Sequence, residues 1–325
     1  MSNNIEDAIK TVRKKFGESS VFVMSDKRGE SIPSLSTGNV LLDEAIGVGG
    51  YPCGRIVEIF GAEGSGKSSL ALIGVSQAQQ HGGVAAYIDA EHALDPLYAK
   101  ALGVDIDNLL ISQPTTAEEA LQLYDFYLKE DLVNIVVLDS VAALVPQAEL
   151  EGDVGDSYVA VVARMMSQAL RKIKGSVNKT KTVALFINQT RTRIGGYGFG
   201  DDQVTPGGKA LKFYSSLRLK ISRIGYEKDG DTIIGSKMRI QIIKNKVAPP
   251  YRAVETTLFF DRGFDTVYDF LDKWVAAGVV KKSGTWYSYK DTKLGQGKRG
   301  VSNFLRSNDS TLNSIMEDYR GLCRK

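Results

Sequence analysis

The sequence has only two cysteines in 325 residues, Cys53 and Cys323, far apart and without ligand-like neighbours. That scarcity argues against a disulfide framework or a cysteine-based zinc site and suits a reduced, cytoplasmic protein. No run of 18 or more apolar residues occurs, so no membrane-spanning helix is expected. The start, Met1-Ser-Asn-Asn-Ile-Glu-Asp7, lacks the charged lead and apolar core of a secretion signal. Internal repeats and low-complexity tracts are also missing. The composition, 43% hydrophobic and 24% charged, belongs to a globular protein able to bury a sizeable core. The length suits one large domain with a smaller one, or two domains.

The net charge of +3 conceals an asymmetry. Residues 1–150 carry 10 Lys and Arg against 21 Asp and Glu, whereas residues 151–325 carry 31 against 17. A basic second half points to a polyanionic partner.

The acidic half is organised around Gly61-Ala62-Glu63-Gly64-Ser65-Gly66-Lys67-Ser68. The apolar run Arg55–Phe60 before it reads as a buried strand, and Ser69–Ile73 after it reads as the start of a helix. Strand, glycine-rich turn and helix in that order form a phosphate-binding P-loop. The glycines let successive N–H groups turn inward, and the helix start adds partial positive charge. Lys67 is expected to reach the β- and γ-phosphates of a triphosphate, and the Ser68 hydroxyl to ligate Mg²⁺. Ser69 completes the candidate nucleotide segment.

Residues 3–16 space Ile5, Ala8, Ile9, Val12 and Phe16 as an amphipathic helix, which either folds back or packs on another subunit. Residues 17–54 are turn-rich. The strand Val84–Asp89 ends at a polar cluster, Ala90-Glu91-His92-Ala93-Leu94-Asp95-Pro96, where open α/β sheets bind ligands. A helix near 116–130 leads to Asn134-Ile-Val-Val-Leu-Asp139-Ser140, an apolar strand delivering one carboxylate beside Mg²⁺. Glu91 stands where a base for an attacking water belongs, or it is a surface carboxylate or helix cap. His92 reads as a local hydrogen-bonding group.

Residues 151–158 read as a loop, followed by a helix with Met165 and Met166 on its apolar side. The strand Thr182–Asn188 ends at Gln189. Residues 190–208 hold six glycines with Arg191, Arg193, Tyr197 and Phe199, a flexible loop suited to gripping a nucleic-acid strand or a surface insert. Strands at 216–222, 238–243 and 254–260 follow, with a hairpin turn near Asp229-Gly230. Lys244-Asn245-Lys246 is a solvated turn or a phosphate-binding cation pair. Residues 273–300 carry seven Lys or Arg against one Asp, within a small basic unit whose core would use Trp274, Trp286, Tyr287 and Tyr289.

Longer strings narrow the reading. Tyr87-Ile-Asp-Ala-Glu-His-Ala-Leu-Asp-Pro96, Val137-Leu-Asp-Ser-Val-Ala-Ala-Leu144, Glu151-Gly-Asp-Val-Gly-Asp-Ser157, Phe186-Ile-Asn-Gln189, Ala210-Leu-Lys-Phe-Tyr214 and Trp286-Tyr-Ser-Tyr-Lys290 resemble the bacterial RecA recombinase family nearly end to end. The resemblance implies an α/β fold: a P-loop RecA-type core with a mostly parallel central sheet, an N-terminal helix and a small α+β C-terminal domain. It divides the chain into 1–30, an oligomerisation helix and linker; 31–265, the ATPase core; and 266–325, a basic DNA-binding domain. It implies a Mg²⁺-dependent, DNA-dependent ATPase that forms a helical filament on single-stranded DNA, pairs it with homologous duplex and exchanges strands in recombination and repair. The filament would also promote self-cleavage of a repressor.

The same resemblance assigns roles. Glu91 would activate water, Asp95 and Tyr98 would contact adenine and ribose, and Ser68 with Asp139 would hold Mg²⁺. Gln189 would sense the γ-phosphate, while Lys244 and Lys246 would reach a neighbour's ATP, with Phe213 in the same interface. Arg164, Ser167, Arg171, Arg191, Arg193, Phe199, Gly207, Gly208, Lys282 and Lys298 would meet DNA. The N-terminal helix would dock on the adjacent subunit.

Departures from the family pattern include Tyr158-Val159 in place of His-Met, and Ala62-Glu63-Gly64 in place of Pro-Glu-Ser. Ser222 and Gln241 stand where basic residues for duplex capture are common, although Arg223 and Arg239 remain. The end at Gly321-Leu-Cys-Arg-Lys lacks an acidic tail, which predicts less autoinhibited duplex binding. A signalling scaffold and a ring-forming motor are the alternative readings, the second opposed by the intersubunit lysines, the two DNA loops and the basic C-terminal domain.

Overall fold

The computed structural model describes residues 4–24, 31–153, 158–192 and 203–323. The chain divides into two compact units, Met1–Ile32 and Pro33–Lys325.

In the first unit a helix spans Ile5–Phe16. The Asn4 side chain accepts from the Glu6 N–H, Glu6 and Asp7 occupy the first turn, and Arg13, Lys14 and Lys15 the last. Cap and charges both complement the helix dipole. Arg13 donates to the Val21 carbonyl at 3.3 and 3.4 Å, folding the following segment back on the helix. The helix buries none of its residues, so its apolar stripe, with Ile5 and Phe16, is exposed.

The second unit is built on a nine-stranded sheet. Its strands are β1 (Arg55–Gly61), β2 (Ala85–Asp89), β3 (Leu109–Ser112), β4 (Ile135–Asp139), β5 (Val183–Gln189), β6 (Leu217–Asp229), β7 (Thr232–Asn245), β8 (Ala253–Phe259) and β9 (Gly263–Phe264). They lie in the order β9-β8-β7-β6-β1-β5-β4-β2-β3. From β6 to β3 every neighbouring pair is parallel, and β6 through β9 pair antiparallel.

The central strands are apolar runs because both their faces are covered. Val57, Ile59, Tyr87, Val137 and Leu185 face the helix Lys67–Gln80 in one core. Ile56, Ala86, Val136, Leu138 and Phe186 face the helices Ala117–Lys129 and Val159–Thr180 in another. Strand alternation assigns neighbouring residues to opposite layers.

The hairpin strands β6 and β7 run much longer than the stretches 216–222 and 238–243 expected from sequence. Pairing of β6 with β1 ends at Ile221 opposite Gly61, while the β6–β7 ladder continues to Asp229 opposite Thr232. Past Ile221, β6 has no partner but β7, while β7 stays paired with β8 as far as Gly235 opposite Phe259, and only the tip beyond that is held by the hairpin's own hydrogen bonds. Two short helices, Val40–Ile46 and Ala210–Tyr214, were not expected, because neither spans enough turns to show a period.

Toward the carboxyl end lie the helix Thr266–Ala276, a three-stranded antiparallel sheet within Lys281–Gln296, and the helices Gly297–Arg306 and Asp309–Cys323. Their core includes Val267, Phe270, Leu271, Trp274, Tyr287, Leu294, Val301 and Ile315, with Leu41 contributed from upstream. Trp286 was expected in this core but is half exposed, since alternation along Trp286–Tyr289 turns Tyr287 and Tyr289 inward instead. Buried Asp265 clamps the region by accepting from Ser302 Oγ at 2.5 Å and Arg306 Nη2 at 3.0 Å. Among the described residues no helix is long and apolar enough to cross a membrane.

Candidate nucleotide site and nucleic-acid interface

The P-loop bridges the end of β1 and the helix Lys67–Gln80. Gly66 caps that helix in the left-handed region, at φ 92°, which a side chain would strain. Gly61 lies so close to β6 that a Cβ would come within 2.2 Å of the Ile221 carbonyl oxygen. No side chain caps the helix, so its first N–H groups are directed at the concavity of the loop. Ser65 Oγ and Lys67 Nζ both donate to the Ala62 carbonyl, each at 2.8 Å. Burial pulls the Lys67 ammonium below its ordinary pKa, opposed by the carboxylates of Asp139, Glu91 and Glu63.

The ends of β1, β2, β4 and β5 bring the remaining groups to the same edge. Tyr87 donates to Asp139 Oδ2 at 2.6 Å, and the Ser68 hydroxyl also hydrogen-bonds Asp139. Burial raises the Asp139 pKa, these two hydrogen bonds lower it, and nearby Glu91 and Asp89 raise it. A hydroxyl and a carboxylate in contact are the hard oxygen donors that Mg²⁺ takes, with phosphates and water filling the other positions. Among the described residues no group of three or more His, Cys, Asp or Glu forms a closed metal cage. The Ser68 and Asp139 oxygens are a donor pair that fits Mg²⁺.

Glu91 is reached from two strands: Ser140 Oγ donates to its Oε1 at 2.5 Å and Gln189 Nε2 at 3.0 Å. The turn carrying Glu91 is fixed by buried Asp89, which accepts from the N–H groups of Ala93 and Leu94 and from Gln113. Gln189 is the register partner of Gly61, and the Thr190 N–H donates to the Gly61 carbonyl at 3.1 Å. The first glycine of the P-loop and the root of the 190–208 segment are thus directly joined.

A cavity of about 270 Å³ beside the P-loop is lined by Gly64, Lys67, Ser69 and Tyr98, with Ser236, Leu258 and Phe260. Tyr98 shares a 2.8 Å hydrogen bond with Ser69. Asp95 caps the helix Pro96–Ala101 by accepting from the Leu97 N–H at 2.8 Å. Sequence reading missed Ser140, Ser236, Leu258 and Phe260. Ser140 adjoins the flagged Asp139, whereas the other three come from strands far away in the chain and carry no local signal.

Lys244 and Lys246 do not join this site. They lie at the end of β7, where the Lys246 N–H bonds the carbonyl of Ser216 just before β6. By register Lys244 pairs with Arg218 and so stands level with Glu58, about 10 Å back from Gly61 along β1 and on the far side of β6. Lys244 Nζ donates to the carbonyls of Lys212 and Phe213 at 2.5 and 3.1 Å, and Phe213 is exposed. Burial, then the charges of Lys246 and Arg218, pull the Lys244 pKa down.

Arg164, Ser167 and Arg171 follow one stripe of the helix Val159–Thr180, the two arginines exposed. Gly207 and Gly208 pack beside this helix, against Met166 and Ala163 respectively. Five of the residues assigned to DNA are therefore carried on or beside one helix. Arg191 is described by its backbone, in the pair Arg191–Thr192 with Gln203–Val204. Arg193 and Phe199, like residues 154–157, lie outside the described residues. Lys282 lies over Tyr287, and Lys298 is engaged with Asp272 at 2.6 Å. Arg223, which the sequence resemblance associates with duplex capture, donates to the Gly64 carbonyl at 3.3 Å.

Fold and site together define an α/β P-loop protein whose phosphate-binding edge is joined through Gln189 to the root of the 190–208 segment. The chain matches the RecA N-terminal domain over residues 3–265 and the RecA C-terminal domain over residues 269–322. It is 51% identical over 316 residues to Protein RecA of Clostridioides difficile (strain 630), covering 97% of this chain and 90% of that one. The corresponding identity is 49% to Protein RecA of Clostridium novyi (strain NT) and 48% to that of Bacillus subtilis (strain 168), at the same coverage. The chain belongs to the RecA family and is a recombinase of DNA recombination and repair.

Proposed function

We propose that the protein hydrolyses ATP in a DNA-dependent manner, as a head-to-tail filament on single-stranded DNA that pairs with homologous duplex and exchanges strands. The observation that carries this reading is the contact of Glu91 with Gln189 at the root of the 190–208 segment. The triphosphate follows the P-loop, with Lys67 turning from the Ala62 carbonyl to the phosphates and the base lying toward Tyr98 and Asp95. Ser68 and Asp139 would hold Mg²⁺, which when bound neutralises charge on the phosphate oxygens. Glu91 orients a water and accepts its proton. Ser140 and Gln189 steady the carboxylate through Oε1, and Oε2 is the oxygen assigned to the water.

The separation of Lys244 and Lys246 from the P-loop of their own chain supports completion of each site by a neighbour. Such an interface is heterologous and extends into a helix unless it closes into a ring. DNA meets Arg164, Ser167, Arg171 and the Gly207–Gly208 segment, together with Arg191, Arg193 and Phe199. Residues 266–325 serve as a basic module that receives duplex through Lys282 and Lys298, the latter exchanging Asp272 for phosphate. The N-terminal helix docks on an adjacent copy, in keeping with its exposed apolar stripe. The protein works in the cytoplasm, and its filament also promotes repressor self-cleavage.

The test is ATP hydrolysis with and without single-stranded DNA, together with joint-molecule formation between a circular single strand and a linear duplex. Hydrolysis and filaments without joint molecules would sink strand exchange in favour of a scaffold. Closed hexameric rings in electron micrographs would point to a motor.

A further inference from the structure

The P-loop strand carries a charged side chain that the hydrolytic site does not use. Glu58 is fully buried, and its register partner across β1 and β6 is Arg218, itself buried. The Arg218 Nε donates to Glu58 Oε2, and the guanidinium lies 4.4 Å from the centre of the Phe60 ring. A buried pair of this kind persists when its remaining hydrogen-bonding capacity is also met. Glu58 Oε1 accepts from Asn188 Nδ2 at 3.4 Å, and the same amide donates to the Pro206 carbonyl at 3.1 Å.

These contacts fix how the Asn188 amide points. A carboxylate and a carbonyl both accept, so the NH₂ group must face them and Oδ1 must face a donor. That donor is the Gln189 N–H, at 3.0 Å. Asn188 is fully buried and spans from the peptide of Gln189, whose side chain reaches Glu91, to Pro206 at the far end of the 190–208 segment. Moving Gln189 either leaves buried polar groups unpaired, which is costly, or carries the amide and Pro206 with it. Downstream, Lys244 pins the carboxyl end of the helix Ala210–Tyr214, so displacement is concentrated in Pro206–Lys209.

We propose that Asn188, oriented by the Glu58–Arg218 pair, is the positioning residue that makes Gln189 and the Pro206–Gly208 segment move together. It would thereby couple the state of the nucleotide to the grip on DNA. This inference rests on the reading of the site as a DNA-stimulated ATPase.

The test is Asn188→Leu, which keeps the volume and leaves Glu58 paired with Arg218 but removes the amide. ATP hydrolysis is measured with and without single-stranded DNA, alongside ATP affinity and thermal unfolding. The variant should keep ATP affinity and DNA-free hydrolysis, unfold at a somewhat lower temperature because buried partners of the amide are left unpaired, and lose about tenfold of the DNA stimulation, within the usual range of site-to-site coupling. The pair Glu58→Gln with Arg218→Met keeps an acceptor for the amide and should retain stimulation. If Asn188→Leu does not fold, Asn188→Ser, too short to span both acceptors, should show the same loss.

Stimulation near that of the unsubstituted protein in a folded Asn188 variant would overturn the inference alone. So would an equal fall in stimulated and unstimulated hydrolysis, or loss of stimulation in the folded Glu58–Arg218 double variant. Absence of stimulation in the unsubstituted protein would instead overturn the reading of the site, and this inference with it.

Discussion

Gln189 Nε2 lies 3.0 Å from Glu91 Oε1, and Gln189 is at the same time the register partner of Gly61. One side chain therefore touches the carboxylate assigned to water while its backbone runs beside the first glycine of the P-loop. The segment assigned to DNA begins at the next residue. The nucleotide edge and that segment are thus joined through one peptide.

Replacing Glu91 by Gln removes the proton acceptor and keeps the size of the side chain. Hydrolysis should fall by about 10²–10⁴-fold, while ATP and DNA binding stay near their original values. Steady-state hydrolysis alongside equilibrium binding checks this, and largely intact hydrolysis would show that the base has been assigned wrongly.

On the proposed sharing of each site between neighbouring chains, Lys67→Ala and Lys246→Ala damage opposite halves. Each variant alone should be inactive. In an equal mixture that co-assembles at random, about a quarter of the interfaces join an intact P-loop to an intact lysine, and activity should return to that extent. A mixture as inactive as its components would argue against sites shared between chains.

Gly208 has a φ of 75°, and a Cβ there would meet Ala163 Cβ at 2.9 Å. Gly208→Ala should cost about 1–2 kcal/mol in backbone strain. It should also push the segment away from Arg164 and Ser167, weakening single-stranded DNA binding in fluorescence anisotropy while leaving nucleotide affinity unchanged.

Asp269 joins three parts of the second unit, accepting from Asn39 Nδ2 at 2.9 Å and Thr256 Oγ1 at 2.7 Å. Burial pushes its pKa up to about 6, although its hydrogen bonds favour the charged form. Because the folded pKa lies above the unfolded one, the native state binds the extra proton between them. Stability from this group should fall as pH rises from about 4 to about 6, by about 3 kcal/mol, and level off above. Urea unfolding across that range should show the slope, and Asp269→Asn should flatten it. An unchanged slope in the variant would assign it to other groups.

Much of the fold was legible because neighbouring residues decide it. Apolar runs such as Ile135–Asp139 and Val183–Gln189 announce strands covered on both faces, and the glycine spacing of Gly61–Lys67 defines a strand–turn–helix junction. The extension of β6 beyond Ile221 was less legible, because there it pairs only with β7 and its mostly exposed residues carry no apolar pattern. Trp286 misled for a related reason: an aromatic residue signals burial, but strand alternation decides which side it faces.

The sequence by itself determined the chemistry available: a lysine and a serine at a helix start, carboxylates at strand ends and a basic second half. Tertiary structure decided which of these groups meet. Strand order brings Glu91 from β2's end to Gln189 at the end of β5, and register leaves Lys244 level with Glu58, short of the P-loop. It also made Glu58, an unremarked charge in an apolar strand, the partner of Arg218 and the anchor of Asn188. Sequence patterns report what each residue can do locally, whereas hydrogen bonds between distant strands are fixed only when the sheet assembles and excludes water.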